Sequence, residues 1–302
     1  MLVITNGDAI VPALRAAGVA CDILPWVDVL HEGPVPQVLS DDDLAILRSK
    51  FIGEMSWSSE EEALARFRAR DARLVLAFEV AEEILLVFED DLYDQLQLLQ
   101  ILDRVVRHAP QITCRLAQAD RPLIELGAIR LQQLIAEAPI LVAKTLVQAS
   151  SLWGKFVAPE KETFLELSDV KMDAMPFVHP AMVRLVEELP RNESGLTRTE
   201  RTFLLALDRG PISFLEIFAA VQHMEERPFV ADLVLASIVL RLMRANPPLI
   251  GRAECEEGEY VNPHALIRGS CLFVKTPAGE LVARGGRRAG MGERYLGGLR
   301  IV

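Results

Sequence analysis

The chain has 302 residues, room for two domains. At 51% hydrophobic and 25% charged, its composition is that of a globular protein with a sizeable core. A formal charge of −11 sets aside nonspecific attraction to nucleic acid for the molecule as a whole, and no apolar run approaches the roughly 18 residues that cross a bilayer.

The opening "MLVITNGDAI" has no basic segment ahead of its apolar residues and does not read as a secretory leader. "LVIT" predicts a short strand that stops at Asn6, Gly7 and Asp8. "AIVPALRAAG" predicts a helix stopped by Gly18, and "CDILPWV" a second strand. Strand, helix, strand opens an α/β unit with parallel strands. Ser40 to Asp43 and Ser59 to Glu62 each set a hydroxyl cap three residues ahead of an acid, which predicts helices near 41–53 and 60–80.

"ILLVFE" reads as a buried strand. From Asp91, a plausible cap, the period changes, and Leu92, Leu96, Leu99 and Val106 share a helical face. "QITCRLA" predicts another strand, and 122–158 reads helical with breaks near Pro139 and Gly154. Prolines at 159, 176, 180 and 190, with "PRNESG", mark a linker. Thr197 to Glu200 is a capping box that opens a helix. "ISFLEIFAAVQHMEE" and "FVADLVLASIVLRLMRA" follow as helices, then "GEYVNP" and "CLFVKTPAGELVARG" as strands, the latter a hairpin turning at "PAG". The expected organisation is a Rossmann-like three-layer α/β ligand-binding domain with a parallel sheet over 1–158. A helical linker over 159–195 and a mainly helical, winged-helix-like domain over 196–302 follow it.

Cys21, Cys114, Cys255 and Cys271 are scattered without a CxxC pair. That argues against a zinc site and a disulfide framework, and suits a cytoplasmic location. Between Ala265 and Val302, Arg268, Lys275, Arg284, Arg287, Arg288, Arg294 and Arg300 face only Glu280 and Glu293, a net +5 that leaves −16 elsewhere. Internal docking is the simpler expectation for such a tail, and a polyanion partner the sharper one.

In open α/β sheets ligands bind beyond the carboxyl ends of the strands. Three predicted ends carry polar groups: Asn6, Gly7 and Asp8; Asp28, His31, Glu32 and Gly33; and Glu89, Asp90 and Asp91, with Tyr93, Asp94, Gln95 and Gln97 just inside the helix. "TNGD" is neither a dinucleotide nor a Walker loop, and an acid at a helix start suits a cap, a ribose hydroxyl or a metal better than a phosphate. His31 is the one histidine on this rim and titrates near neutrality in ordinary surroundings. Asp8, Asp28, Glu32, Glu89 and Asp91 offer oxygen ligands to a divalent metal, but without a recognisable ligand spacing. A solvated acidic rim is the simpler account.

"TNGD", "LHEGPVP", "FEDDLYDQLQLLQ", "LTRTER" and the closing "YLGGLRI" together make the chain resemble a bacterial family known as domain of unknown function number eighteen thirty-five. The resemblance covers both halves and implies an α/β N-terminal region and a helical C-terminal region, with no activity to carry over. The family pattern has a histidine where this sequence has Asp90 and a closing tryptophan where it has Tyr295.

Two functions from different classes result. In the first, the α/β domain binds or processes a nucleotide-like or phosphorylated small metabolite at the carboxyl edge of its sheet. His31 is then the acid/base, Asp8 and Asp91 orient substrate or a metal, and Asn6, Gly7, Asp28, Glu32, Gly33, Glu89, Tyr93 and Gln95 line the ligand. In the second, the protein is a non-enzymatic regulator that senses a metabolite and contacts a protein or DNA through its winged-helix-like domain. The apolar third helix, with Arg241 and Arg244 as its phosphate partners, weighs against DNA. Whether a reaction is catalysed, and whether copies of the chain associate, is left open by the sequence.

Overall fold

The computed structural model describes residues 1–38, 40–190, 194–253, 262–286 and 290–301. Much of "PRNESG" and of "GEYVNP" lies outside the described residues, as do Cys255, Arg287 and Arg288.

The first half is built on β1 (Leu2–Asn6), α1 (Val11–Ala16), β2 (Asp22–Trp26), the two-residue β3 (Gly33–Pro34), α2 (Asp41–Glu54), α3 (Glu60–Val80), β4 (Glu83–Phe88), α4 (Leu92–His108), β5 (Thr113–Gln118), α5 (Gly127–Ala136) and α6 (Ala143–Phe156). The expected caps hold. Ser40 Oγ accepts from the Asp43 amide, Ser59 and Glu62 form a reciprocal capping box, and Asp91 Oδ1 accepts from the Asp94 amide. Gly154 does not break α6, whose buried face of Ala149, Leu152, Trp153 and Phe156 runs past it.

Four strands form one all-parallel sheet in the order β2-β1-β4-β5. Val3, Leu85 and Val87 pack under α1 and α5 with Leu14 and Leu131. Ile4, Leu24, Leu86 and Phe88 face the other way, against Leu96, Leu99 and Leu102 of α4. Helices therefore cover both faces of a parallel sheet, consistent with a Rossmann-like domain. The strand order reverses between β1 and β4, which is where ligands of open α/β sheets enter.

The second half contains α7 (Lys161–Leu165), α8 (Val178–Val186), α9 (Arg198–Ala206), β6 (Ile212–Ser213), α10 (Phe214–Met224), α11 (Asp232–Arg244), β7 (Ile250–Arg252), α12 (Pro263–Arg268), β8 (Leu272–Lys275), α13 (Pro277–Ala283), β9 (Arg294–Gly297) and β10 (Leu299–Ile301). Residues 159–190 carry α7 and α8, and they pack into the core. Phe164, Met175, Val178, Met182 and Leu185 are buried, in the same apolar cluster as α4 and α6. β6, β8 and β7 form an antiparallel sheet in that order. "PAG" is not a hairpin turn but the start of α13. Thr276 Oγ1 accepts from the Gly279 amide and Pro277 occupies the first turn, so a cap and a proline won over turn composition. Cys271 is disulfide-bonded, unlike the unpaired thiol expected, whereas Cys21 and Cys114 are free.

A third sheet joins the halves. β9 pairs with β10 and, in parallel, with β3, so "GPVP" and "YLGG" are hydrogen-bonded neighbours. The Val35 amide donates to Gly297 O at 2.7 Å. Gly33 has φ +78°, and a Cβ there would lie 2.5 Å from the Phe51 ring, so close packing requires glycine. Arg48 of α2 holds this loop from inside. Its guanidinium pairs with Asp28 at 2.9 Å and also donates to the carbonyls of Val29 at 2.8 Å and Glu32 at 2.7 Å. Arg48→Ala leaves the Asp28 charge buried and unpaired, so urea unfolding should show a loss of about 3–5 kcal/mol. Arg48→Lys should recover little of it, because an ammonium cannot reproduce the planar fork.

Candidate functional site

At the β1/β4 crevice the predicted residues Asn6, Glu89, Asp91 and Gln95 come together around Asp94, which the sequence places with them at the third strand end. Asn6 Nδ2 donates to Asp94 Oδ1, and the Glu89 amide donates to Asp94 Oδ2 at 2.6 Å. Gln95 Nε2 donates to Glu89 O at 2.6 Å, and Glu89 Oε1 accepts from the Leu123 amide at 2.8 Å. Burial and mutual repulsion raise all three carboxyls. Asp91 is pushed up to about 7, Asp94 well above the usual carboxylate range, and Glu89 in the same direction. Gly7, with φ +62°, donates its amide to Trp26 O. Among the described residues no three His, Cys, Asp or Glu side chains are grouped to hold a metal ion.

Asp28, His31, Glu32 and Gly33 turn away from that crevice. Asp28 belongs to Arg48, and Gly33 to the pairing with β9. His31 is buried where the two halves meet. Its ring lies edge-on to Tyr93 and Phe229, with centroids 6.0 and 5.0 Å away, and neither ring nitrogen has a hydrogen-bond partner among the described residues. Burial lowers its pKa to about 3. Glu188 opposes that shift, while Arg48 and Arg184 add to it. A ring that is neutral and enclosed at pH 7 is poorly placed to relay protons to solvent. Tyr93 is also largely enclosed, and burial raises its phenol. Glu32 faces Arg241, 3.6 Å away, and burial raises its carboxyl.

Residues of the three rims are spread over three cavities. Asp90 lies in one of about 300 Å³, with Arg184, Arg198 and Arg227. Glu32 and Gly33 lie in one of about 830 Å³, facing Arg241, Arg244 and Tyr295. Asp8 and Asp28 lie in one of about 490 Å³ that runs between β2 and α3. This third cavity holds an arginine without an ion-pair partner among the described residues. β2 is the outermost strand, and Pro25 in its middle has no amide hydrogen to offer. Arg70 Nη1 donates to Val27 O at 3.3 Å, and Arg73 Nη2 to Ile23 O at 2.8 Å, so two arginines of α3 cap the strand edge. Arg66, one turn before Arg70, is exposed in the same cavity and has no ion-pair partner among the described residues. Trp57, Phe67, Ile52 and Leu233 supply apolar walls.

Asp8 is exposed at the cavity's β1 side, and its side chain does not cap α1, whose N-cap is Ile10. Arg66, Arg70 and Arg73 were missed in the sequence, although their spacing of four and then three in "ARFRARDAR" marks one helical face. An α/β protein with a doubly covered parallel sheet and a cationic cleft along its edge strand is what these features define. No protein-family model matches the chain, and no curated protein matches it.

The two shifted groups of opposite kind make stability depend on pH in opposite directions. His31 ordinarily titrates at 6.5 but at about 3 when folded, so its share of stability is intact above 6.5 and is lost as pH falls towards 3. Asp91 ordinarily titrates at 3.8 but at about 7 when folded, so its share is intact below 3.8 and is lost as pH rises through 7. Asp91→Asn keeps the cap acceptor. Its urea midpoint should rise relative to the parent protein between about pH 4 and about pH 8, and His31→Phe should flatten the parent's fall on the acid side.

Proposed function

We propose that the protein binds a small phosphorylated metabolite in the cleft between the edge strand β2 and α3, at the carboxyl side of its parallel sheet. The observation that carries this is Arg66, an uncommitted guanidinium in a cavity of about 490 Å³ already flanked by Arg70 and Arg73. Guanidinium groups bind phosphate oxygens in paired hydrogen bonds, and a small-molecule site needs few such groups on an otherwise apolar wall. Binding, not turnover, is the function this supports, since His31 is enclosed and neutral. The group poised near neutrality at the sheet edge is Asp91. Melting temperatures measured with inorganic phosphate, ribose 5-phosphate and nucleoside monophosphates test the proposal. At least one phosphate ester should raise the melting temperature, and Arg66→Ala should weaken its binding about tenfold. A rise identical in the variant would remove the cleft from the site.

A second reading, that of a metabolite-sensing regulator, is favoured by one contact. Trp57 lines the cleft, and its Nε1 donates to Ser237 Oγ of α11 at 2.8 Å. The order α9, β6, α10, α11, β7, α12, β8, with β8 central in an antiparallel sheet, supports a winged-helix-like reading of this part. In such a module α11 would be the helix that reads DNA. Here Ser237 faces Trp57, and Arg241 is held by Glu32 and Glu200, so much of the polar face of α11 is turned towards the α/β half and α9. Fluorescence anisotropy with duplex DNA at physiological salt should show no sequence-specific binding. Specific binding that survives that salt would make DNA the partner of α11.

A further inference from the structure

The class of ligand can be narrowed, on the premise that the cleft beside β2 is a phosphate-ester site. Most charges lining it are committed. Arg70 pairs with Asp71, Arg73 with Asp22, and Asp28 with Arg48. Two are not, and they have opposite sign: Arg66 and Asp8, both exposed and both without an ion-pair partner among the described residues.

A ligand that satisfies both must present an anion to one and hydrogen-bond donors to the other. An amino acid zwitterion and a sugar phosphate both meet that condition. The premise of a phosphate-ester site selects the sugar phosphate, and an amino acid is kept as an outcome of the test. Ionised Asp8 has only acceptors. It repels the phosphate towards Arg66 and accepts from hydroxyl groups instead, and the two hydroxyls of a vicinal diol match the two oxygens of one carboxylate. Trp57, Ile52 and Leu233 leave an apolar wall for a planar ring, and about 490 Å³ is within the range of small-ligand sites.

We infer that the occupant is a ribonucleotide, with its phosphate on Arg66, its ribose hydroxyls on Asp8 and its base against the wall of Trp57 and Leu233. Asp8 makes no side-chain bond that the fold needs, so its replacement leaves the protein folded, which circular dichroism checks.

Calorimetric titration of the full chain with AMP, 2′-deoxyAMP, inorganic phosphate and phenylalanine tests the assignment. The parent protein should bind AMP about tenfold more tightly than 2′-deoxyAMP, the worth of one hydrogen bond to a charged acceptor. Asp8→Ala should erase that ratio by weakening AMP about tenfold more than 2′-deoxyAMP, and Arg66→Ala should weaken both nucleotides by a similar factor. Equal binding of the two nucleotides by the parent protein, or equal weakening of both by Asp8→Ala, overturns the ribose assignment while leaving a phosphate site. Tighter binding of phenylalanine than of AMP also overturns it. If no phosphate compound binds, the phosphate site itself fails, and the ribonucleotide with it.

Discussion

Arg48 and Asp28 meet at 2.9 Å with side chains only 1% and 2% exposed. Removing two charges from water is costly, and mutual attraction offsets that cost only when the remaining donors are also satisfied. Arg48 meets the condition because three of the donated bonds of its guanidinium end on loop carbonyls, those of Val29, Glu32 and, more distantly, Pro34. The loop after β2 therefore folds around a side chain of α2. Everything that loop carries follows from its placement. Gly33 and Pro34 become a strand for β9, His31 is pushed into the junction of the two halves, and Glu32 is presented to Arg241.

The junction is stitched by charge as much as by apolar contact. Glu200 is inaccessible to solvent and accepts from both Arg241 and Arg294, and Arg184 bridges Glu188 and Glu225. Arg227 crosses from the segment after α10 to Asp90 at the end of β4, at 2.6 Å. Much of the basic tail is ion-paired too. Lys275 pairs with Asp208 and Glu280, Arg284 with Glu280, Arg294 with Glu200 and Arg300 with Glu293. Of these, Lys275 and Arg294 dock on acids outside the tail, whereas Arg284 and Arg300 pair with the tail's own two glutamates.

Two polar features thus divide the carboxyl edge of the sheet. At the β1/β4 crevice Asn6, Glu89, Asp91 and Asp94 satisfy one another and the backbone, and the carboxyls are held towards their protonated forms. Along β2 the charges of Arg66 and Asp8 face a cavity with nothing committed to them. The first arrangement consumes its own hydrogen-bonding capacity, and the second retains it, which is why the ligand is placed beside β2 and not at the crevice where the strand order reverses.

Much of the first half was legible in the sequence because its signals are local. The caps at Ser40, Ser59 and Asp91 depend on groups three residues away, and the apolar runs at 2–5 and 84–88 announce buried strands wherever they fall. The polar content of the three strand ends was legible too, but not its direction. "LHEGPVP" reads as the mouth of a site. It is also the seat of a buried ion pair to a helix some twenty residues on and of a strand pairing with residues near the chain's end. The arginines of α3 gave the opposite difficulty: their helical spacing is plain, yet a basic helical face is usually solvated. By itself the sequence determined most of the helices, the parallel strands and which residues stand at the strand ends, though it read the start of α13 as a hairpin turn. Only the tertiary structure decided which of those residues face a cavity and which are consumed by packing, because that depends on partners brought together across long sequence separations, and periodicity and capping carry no information at that range.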